Sequence, residues 1–437
     1  MFQQKKKEFK NNEISFYWET EFKNTEIGRI PKEWKVMKIK DIGKVITGKT
    51  PPTGDREYWN GEIPFITPAD MGDSPYVYTT NRYVTMEGAE KVGKLLPENT
   101  VLVVCIGSTI GKVALTYKES VTNQQINAII CNRETNPNYL YYTLLFNSWR
   151  LKSFSGIAAV PIIKKSLFEI FKIPLPPLSE QKKIAEVLST VDEAIRLVDE
   201  SIARTERLKK GLMQELLTKG IGHKEFKQTE MGKMPKEWKV VTLESISLRI
   251  KTGPFGSQLK KDELSNSGFK VYTQENILKN DFEIGDLYIT PEKFRKLRNM
   301  EVKPGDVLLT IRGTIGYSAV VPANAKRGII HSNLAYIRVK KDIIIPEFLS
   351  QLINGYQILR YQIQAFSSST TLGALYAKVI KRLKIPLPPI REQQKIIEIF
   401  STIDKTLEIK RKRREKLERI KKALMDLLLT GKVRVKV

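Results

Sequence analysis

Two cysteines, Cys105 and Cys131, and two histidines, His223 and His331, are all that 437 residues contain of either type. Two cysteines build neither a disulfide framework nor a cysteine-rich zinc centre, and they suit a reducing compartment. Two histidines exclude a histidine-rich metal site and leave histidine general-base chemistry little to work with. No apolar run approaches the ~18 residues of a membrane span; the longest clean one, Val101 to Ile106, has the size of a strand. The opening MFQQKKKEFK is basic, but no apolar stretch follows it as in a secretory signal, so a cytoplasmic location without membrane contact is expected. Acidic residues are also scarce. There are 48 Asp and Glu against 74 Lys and Arg, a net charge of 74 − 48 = +26.

Against these shortages stands a hydrophobic fraction of 41%, enough for packed cores and too high for a disordered basic tail. The length suggests two to four domains. A folded chain of this charge expects an anionic partner. Nucleic acid leads, because lysines and arginines that neutralise phosphates release condensed counterions.

The chain repeats itself. Residues 21–36, EFKNTEIGRIPKEWKV, match residues 225–240, EFKQTEMGKMPKEWKV, at twelve of sixteen positions. Lys172 to Ile195, KIPLPPLSEQKKIAEVLSTVDEAI, matches Lys384 to Leu407, KIPLPPIREQQKIIEIFSTIDKTL, at fourteen of twenty-four. GLMQELLTKGI from Gly211 and ALMDLLLTGKV from Ala423 form a third pair, and VLVVCIGSTIG from Val101 is echoed faintly by VLLTIRGTIG from Val307. The ends of each unit agree and the middles do not. A period above 200 residues is too long for a solenoid and marks a tandem duplication of a whole module: one scaffold presenting two different binding surfaces.

Each unit closes on a long helical stretch. In the first, Pro176 and Pro177 stiffen the entry, Ser179 is placed to cap it, Glu180 lies in the first turn and Gly220 ends it. Apolar residues follow at Ile184, Leu188, Val191, Ile195, Val198 and Ile202, the alternating four-three spacing of a helix packed along a partner. It resumes at Leu208, Leu212 and Leu216. The second copy has Ile396, Phe400, Ile403 and Leu407, then Leu417, Ile420, Leu424 and Leu428, with Lys410 and Arg414 breaking the seam before Gly431. The expected arrangement is an antiparallel two-stranded coiled coil, each helix roughly 60 Å long at 1.5 Å per residue. Short β-type runs (Val101–Ile106, Lys112–Thr116, Ile126–Ile130; Val307–Ile311, Ser318–Val321, Ala335–Val339) and helices opening at Pro137 and Pro346 predict mixed globular domains. The expected class is α+β: two mixed α/β domains and two long helices, related by a pseudo-twofold repeat. The segments are an N-terminal extension 1–21, a first domain 22–174, a central helix 175–221, a second domain 222–386 and a C-terminal helix 387–433.

Two TEIGxIPKEW-type blocks, each opening a variable domain, and two IPLPPLxEQxxIAxxL blocks, each opening a long helix, resemble the specificity subunit of type I restriction-modification systems. The likeness runs from about residue 21 to 433. It implies two target-recognition domains, each reading one half of a split double-stranded DNA site. It also implies a coiled coil that sets the spacer and docks two modification subunits. In that prokaryotic family the modification subunits carry S-adenosylmethionine and methylate adenine, restriction subunits use ATP and Mg²⁺, and the specificity subunit is not catalytic and carries no cofactor of its own.

Other motifs point elsewhere and fail on chemistry. Asn136-Pro137-Asn138-Tyr139 is one residue away from the NPPY motif of adenine methyltransferases, but its counterpart is Ile345-Pro346-Glu347-Phe348 and no glycine-rich cofactor fingerprint accompanies it. GSTIGK, Gly107 to Lys112, is one residue short of a phosphate-binding loop, and Val113 stands where the metal-binding hydroxyl belongs. A basic coiled-coil adaptor is the alternative to base reading, and nine basic residues among the thirteen from Lys410 to Lys422 suit either phosphates or an acidic partner. Base reading needs paired donors and acceptors. Candidates are Lys49, Arg56, Lys112, Asn123, Gln124 and Gln125 in the first domain, and Lys251, Gln258, Lys260, Gln274, Asn276, Arg312 and Asn333 in the second. Ser108, Thr109 and Thr314 sit in glycine turns suited to phosphate.

The charge generates a direct expectation. Duplex binding by the pure chain falls steeply with salt, each neutralised phosphate adding about −0.9 to the log–log slope. A titration across salt concentrations checks this, and a flat response would favour the adaptor.

Overall fold

A computed structural model describes residues 14–93, 95–156, 160–255, 258–368 and 374–436. Of the N-terminal extension, residues 1–13 lie outside the described residues. Contacts divide the chain into two compact units. One runs to Glu200 and resumes at Arg411; the other runs from Ser201 to Lys410. These units cut across the expected segments, because each long helix contributes residues to both.

The first unit is built on a five-stranded sheet, ordered Gly43–Thr47, Ile126–Cys131, Val101–Val104, Val113–Thr116 and Tyr76–Val77, antiparallel except for the last pair. A three-stranded sheet of Val121–Thr122, Trp59–Ile66 and Arg82–Val84 lies beside it in the chain's fold. The second unit repeats the plan with four strands, Ser247–Thr252, Leu334–Val339, Val307–Thr310 and Ser318–Val320, and a three-stranded sheet of Tyr288–Ile289, Phe269–Tyr272 and Gly328–Ile330. Val101–Val104 and Val307–Thr310 are buried on both faces, so they read as unbroken apolar runs rather than alternating ones. Helices Pro137–Phe146 and Pro346–Gly355 cover the sheets, each with its proline in the first turn.

The repeated motifs meet one another. In each unit the strand after PKEW pairs antiparallel with the KIPL strand: Lys35–Lys38 with Lys172–Leu175, and Lys239–Thr242 with Lys384–Leu387. The long helix follows at once, Leu178–Lys219 in one case and Ile390–Leu429 in the other. The first starts at Leu178, so Ser179 lies within its opening turn rather than capping it. Glu180 is not a mere dipole partner either. Its carboxylate is buried and accepts the indole N–H of Trp34 at 3.1 Å and the guanidinium of Arg434 at 2.8 Å. Glu392 does the same for Trp238 at 2.9 Å, and takes the His223 ring and the Ile221 amide on its other oxygen. The neighbouring glutamines fasten the next element. Gln181 accepts from the Asn136 amide and donates to Glu134 and Pro176 carbonyls; Gln393 accepts from the Ile345 amide and donates to Ile343 and Pro388 carbonyls.

Gly220 and Gly431 end the helices at φ +66° and +69°. A Cβ at Gly220 would lie 2.3 Å from Glu392 Oε1, and one at Gly431 2.3 Å from Pro31 Cγ, so no other residue fits either place. Three residues beyond each glycine stands the side chain that meets the motif glutamate: His223 in the second unit, Arg434 in the first. Arg434 also meets Glu19 and Glu33, and its strand Val433–Val435 pairs antiparallel with Phe16–Trp18.

The long helices pair in each unit. In the first, Lys421 meets Asp192 at 2.6 Å and Arg414 meets Asp199 at 2.6 Å; in the second, Lys410 donates to Thr205 at 2.6 Å and Lys209 meets Asp404 at 2.6 Å. The partners climb one helix as they descend the other, so the segments run antiparallel. The expected break in the seam at Lys410 and Arg414 is thus filled by cross-helix polar contacts. Ile184 and Leu188 belong to the first unit's core with Met425 and Leu428, and Ile396 and Phe400 to the second unit's. Ile195, Val198 and Leu407 are buried, while Val191, Ile202 and Ile403 are half-buried. Leu208 and Ile420 are exposed, so the apolar spacing outlasts the buried seam. Among the described residues, no helix is long and apolar enough to cross a membrane.

Replacing Arg434 by Met strands the buried Glu180 carboxylate. The expected cost is about 3–5 kcal/mol to the first unit, as for other half-broken buried ion pairs. Hydrogen exchange should rise at Phe16–Trp18 and around Trp34, and stay unchanged at 226–242. Acid acts on the same place. Burial works to raise the Glu19 carboxyl, but the Glu21 amide, Arg434 and the Thr20 amide outweigh it and hold its pKa below the ordinary value. A depressed carboxyl stabilises above its unfolded pKa and loses that contribution as pH falls through the folded one. The Phe16–Trp18 pairing should therefore loosen below about pH 4 and be indifferent to mild alkali.

Candidate nucleic-acid interface

In the first domain three loops converge. Gly48 lies so close to the strand end that a Cβ would sit 2.2 Å from the Asn123 carbonyl oxygen, and the Lys49 amide donates to the Thr122 carbonyl. Thr50 Oγ1 donates to Gln124 Oε1 at 2.7 Å. The Cys105 amide donates to the Gln125 carbonyl, and the Gln125 side chain lies over Gly107 at the head of the glycine turn. Lys49, Ser108, Thr109 and Gln124 are exposed there, with Gln125 half-buried. These candidates form one cluster of a cation, hydroxyls and amides around a tight turn.

Of the remaining first-domain candidates, Asn123 and Lys112 are spent on internal hydrogen bonds and Arg56 lies apart. Asn123 is buried and spends its amide on Gln125, as donor to Oε1 and acceptor from N–H. Lys112 is half-buried, its ammonium on the Pro68 carbonyl at 3.1 Å. Arg56 lines a separate cavity of about 510 Å³ with Trp59, Asn60, Asn81 and Arg82. There the Arg82 guanidinium lies 3.5 Å from the Trp59 ring centre. The residue types alone gave no reason to single out Arg82.

The second domain reproduces the convergence with different side chains. Gly253 takes the place of Gly48, its Cβ position 2.1 Å from the His331 carbonyl oxygen. Gln274 reaches over the second glycine turn, donating to the Arg312 and Thr314 carbonyls at 3.0 and 2.6 Å. The Ile311 amide donates to the Asn333 carbonyl, which brings Asn333 to the same place. Phe255, which the base-reading criterion passed over, stands beside Arg312, and the Phe255 amide donates to Gln258 Oε1. Lys260 is exposed on the adjoining loop and Lys251 half-buried on strand Ser247–Thr252. Asn276 is a correction. It is buried, accepts from the Thr273 amide and donates to the Asp281 and Ile284 carbonyls, so its amide builds a turn and has nothing left for a base.

The decoy motifs have structural work. Asn136 caps its helix through the Tyr139 amide, and the fully buried Tyr139 hydroxyl donates to the Pro174 carbonyl. The two thiols are pushed up to about 12 by burial, with hydrogen bonds from Asn127 opposing it at Cys105, and are not nucleophiles at neutral pH. Among the described residues no cluster of His, Cys, Asp and Glu could hold a metal ion.

The Type I restriction modification DNA specificity domain family matches residues 31–207 and again 235–419. The specificity subunit of the type I restriction enzyme MjaVIII from Methanocaldococcus jannaschii is 31% identical over 432 residues, covering 97% of this chain and 98% of its own. The EcoR124I/EcoR124II specificity subunit of Escherichia coli is 32% identical over 185 residues, 40% of this chain and 45% of its own. Among solved structures, the S subunit of a type I restriction-modification system from M. genitalium superposes with a TM-score of 0.57 at 17% identity, over 91% of this chain and 96% of its own.

Proposed function

We infer, from the premise that this chain belongs to the type I restriction-modification DNA specificity family, that it is the sequence-reading subunit of such a complex and not itself the enzyme. Each domain reads one half of a split site in double-stranded DNA. The paired long helices set the number of unread base pairs and dock two modification subunits. S-adenosylmethionine belongs to those subunits, and ATP and Mg²⁺ to the restriction subunits that join them. The complex works in the cytoplasm, where the DNA is.

The observation that carries this is the pairing of a common frame with unlike contents. The strand ends, the glycine turns and the glutamines over them recur in both domains. The side chains offered at those places differ: Lys49, Thr50, Ser108 and Gln124 in one, Phe255, Gln258, Arg312 and Asn333 in the other. An adaptor for one acidic surface has no need of two different faces on one frame. A reader of two different half-sites does.

The test is an exchange of residues 22–171 for the matching domain of another member, with the methyladenine motif read from cells that also express the modification subunit. One half-site should change while the other half and the spacer stay. A change in both halves, or in neither, contradicts separate reading by two domains.

A further inference from the structure

The second domain holds a buried donor with no partner. Arg312 stands immediately before the glycine turn, where Gly313 and Gly316 have φ +67° and +83°. Its Nε is buried and makes no hydrogen bond. Folded proteins seldom leave such a donor unsatisfied without cause. The guanidinium lies 5.1 Å from the centre of the Phe255 ring. Phe255 is 43% exposed and runs within 13° of parallel to the Tyr376 ring. Gln274 ties down the backbone on both sides of Gly313 through the Arg312 and Thr314 carbonyls. The side chain is therefore fixed at its root and held near an aromatic ring, and the guanidinium keeps donors to offer a ligand.

The first domain shows what the fold itself requires here. The Ile163 amide donates to the Cys105 carbonyl at 2.8 Å, and the Leu375 amide to the Ile311 carbonyl at 3.0 Å. These bonds bring Ile106 and Arg312 to the same place, one residue before a positive-φ glycine. Ile106 fills it with an apolar residue, and its backbone forms an isolated antiparallel bridge with Ile162. The frame thus accepts isoleucine, and the arginine is not there for stability.

Nor does a phosphate account for it. Phosphates are alike in both halves of a DNA site, so a phosphate contact made by the common frame belongs in both copies. A residue present in one copy answers to something found in one half-site, which is a base. A planar fork with two parallel donors matches O6 and N7 of guanine in the major groove. The aromatic ring beside the guanidinium helps to hold the fork in place before it binds.

We propose that Arg312 reads a guanine in the half-site of the second domain, with Phe255 as the residue that positions it. The assignment rests on the DNA-reading function above. It is tested in the full chain, co-expressed with its modification subunit, by sequencing methyladenine motifs. The second domain's half-site is the one that survives exchange of residues 22–171. Arg312→Ile, which copies the first domain, should keep the wild-type melting profile and assembly. It should lose the requirement for guanine at one position, with selectivity there falling about 5- to 150-fold. The other half-site and the spacer should not move. Arg312→Lys keeps the charge and loses the fork, and should relax the same position. Phe255→Leu should weaken that position alone. A uniform fall in methylation with the base preferences intact makes Arg312 a phosphate contact and overturns the assignment, as does an unchanged motif. An assembled wild-type complex with no chain-dependent motif removes the DNA-reading premise instead.

Discussion

One carboxylate in the first turn of each long helix holds the architecture. Glu180 and Glu392 each accept an indole N–H from the PKEW tryptophan and a hydrogen bond from a cationic or imidazole side chain just past a helix end. Glu180 is buried and Glu392 half-buried, and carboxylates so placed are tolerable only when their lone pairs are filled this fully. The same turn carries Gln181 or Gln393, which seizes the start of the helix covering the sheet. Domain entry, long helix and covering helix are thereby locked at one point in each unit. Everything between those anchors is free to vary, and it does.

The locks are not identical. Arg434 is permanently charged and gathers Glu19, Glu33 and Glu180, and its strand pairs with Phe16–Trp18. In the second unit the corresponding place is held by His223, and the Ile221 amide shares the same Glu392 oxygen. Charge is arranged with similar economy along the helices. Three members of the basic run, Lys410, Arg414 and Lys421, are committed to Thr205, Asp199 and Asp192, while Arg413, Lys416, Arg419 and Lys422 face solvent.

Much of this was legible in the sequence where the signal was local. Apolar runs located Val101–Val104 and Val307–Thr310, the prolines Pro137 and Pro346 located two helix starts, and four-three spacing located the paired helices. What escaped was long-range or ambiguous in type. Trp34 and Glu180 are 146 residues apart, and no periodicity links them. Their retention in both copies, where the middles diverge, was the available clue. Asn276 has the right amide for adenine and equally the right amide for a turn, and only its burial decides. Lys112 was ambiguous in the same way until its ammonium was seen on the Pro68 carbonyl. Phe255 lacks donors and acceptors, so a search for base-reading side chains passes over the residue that sets one in place.

The central claim is that these carboxylates act through the tryptophans, and a double-mutant cycle measures that directly. Trp238→Phe, Glu392→Gln and the pair are melted, with the same three changes at Trp34 and Glu180. Hydrogen bonds to a charged group sheltered from water predict a coupling of about 1.5–3 kcal/mol in each unit. Additivity within about 0.5 kcal/mol in both would show that the indoles and carboxylates do not act together, and would contradict the account.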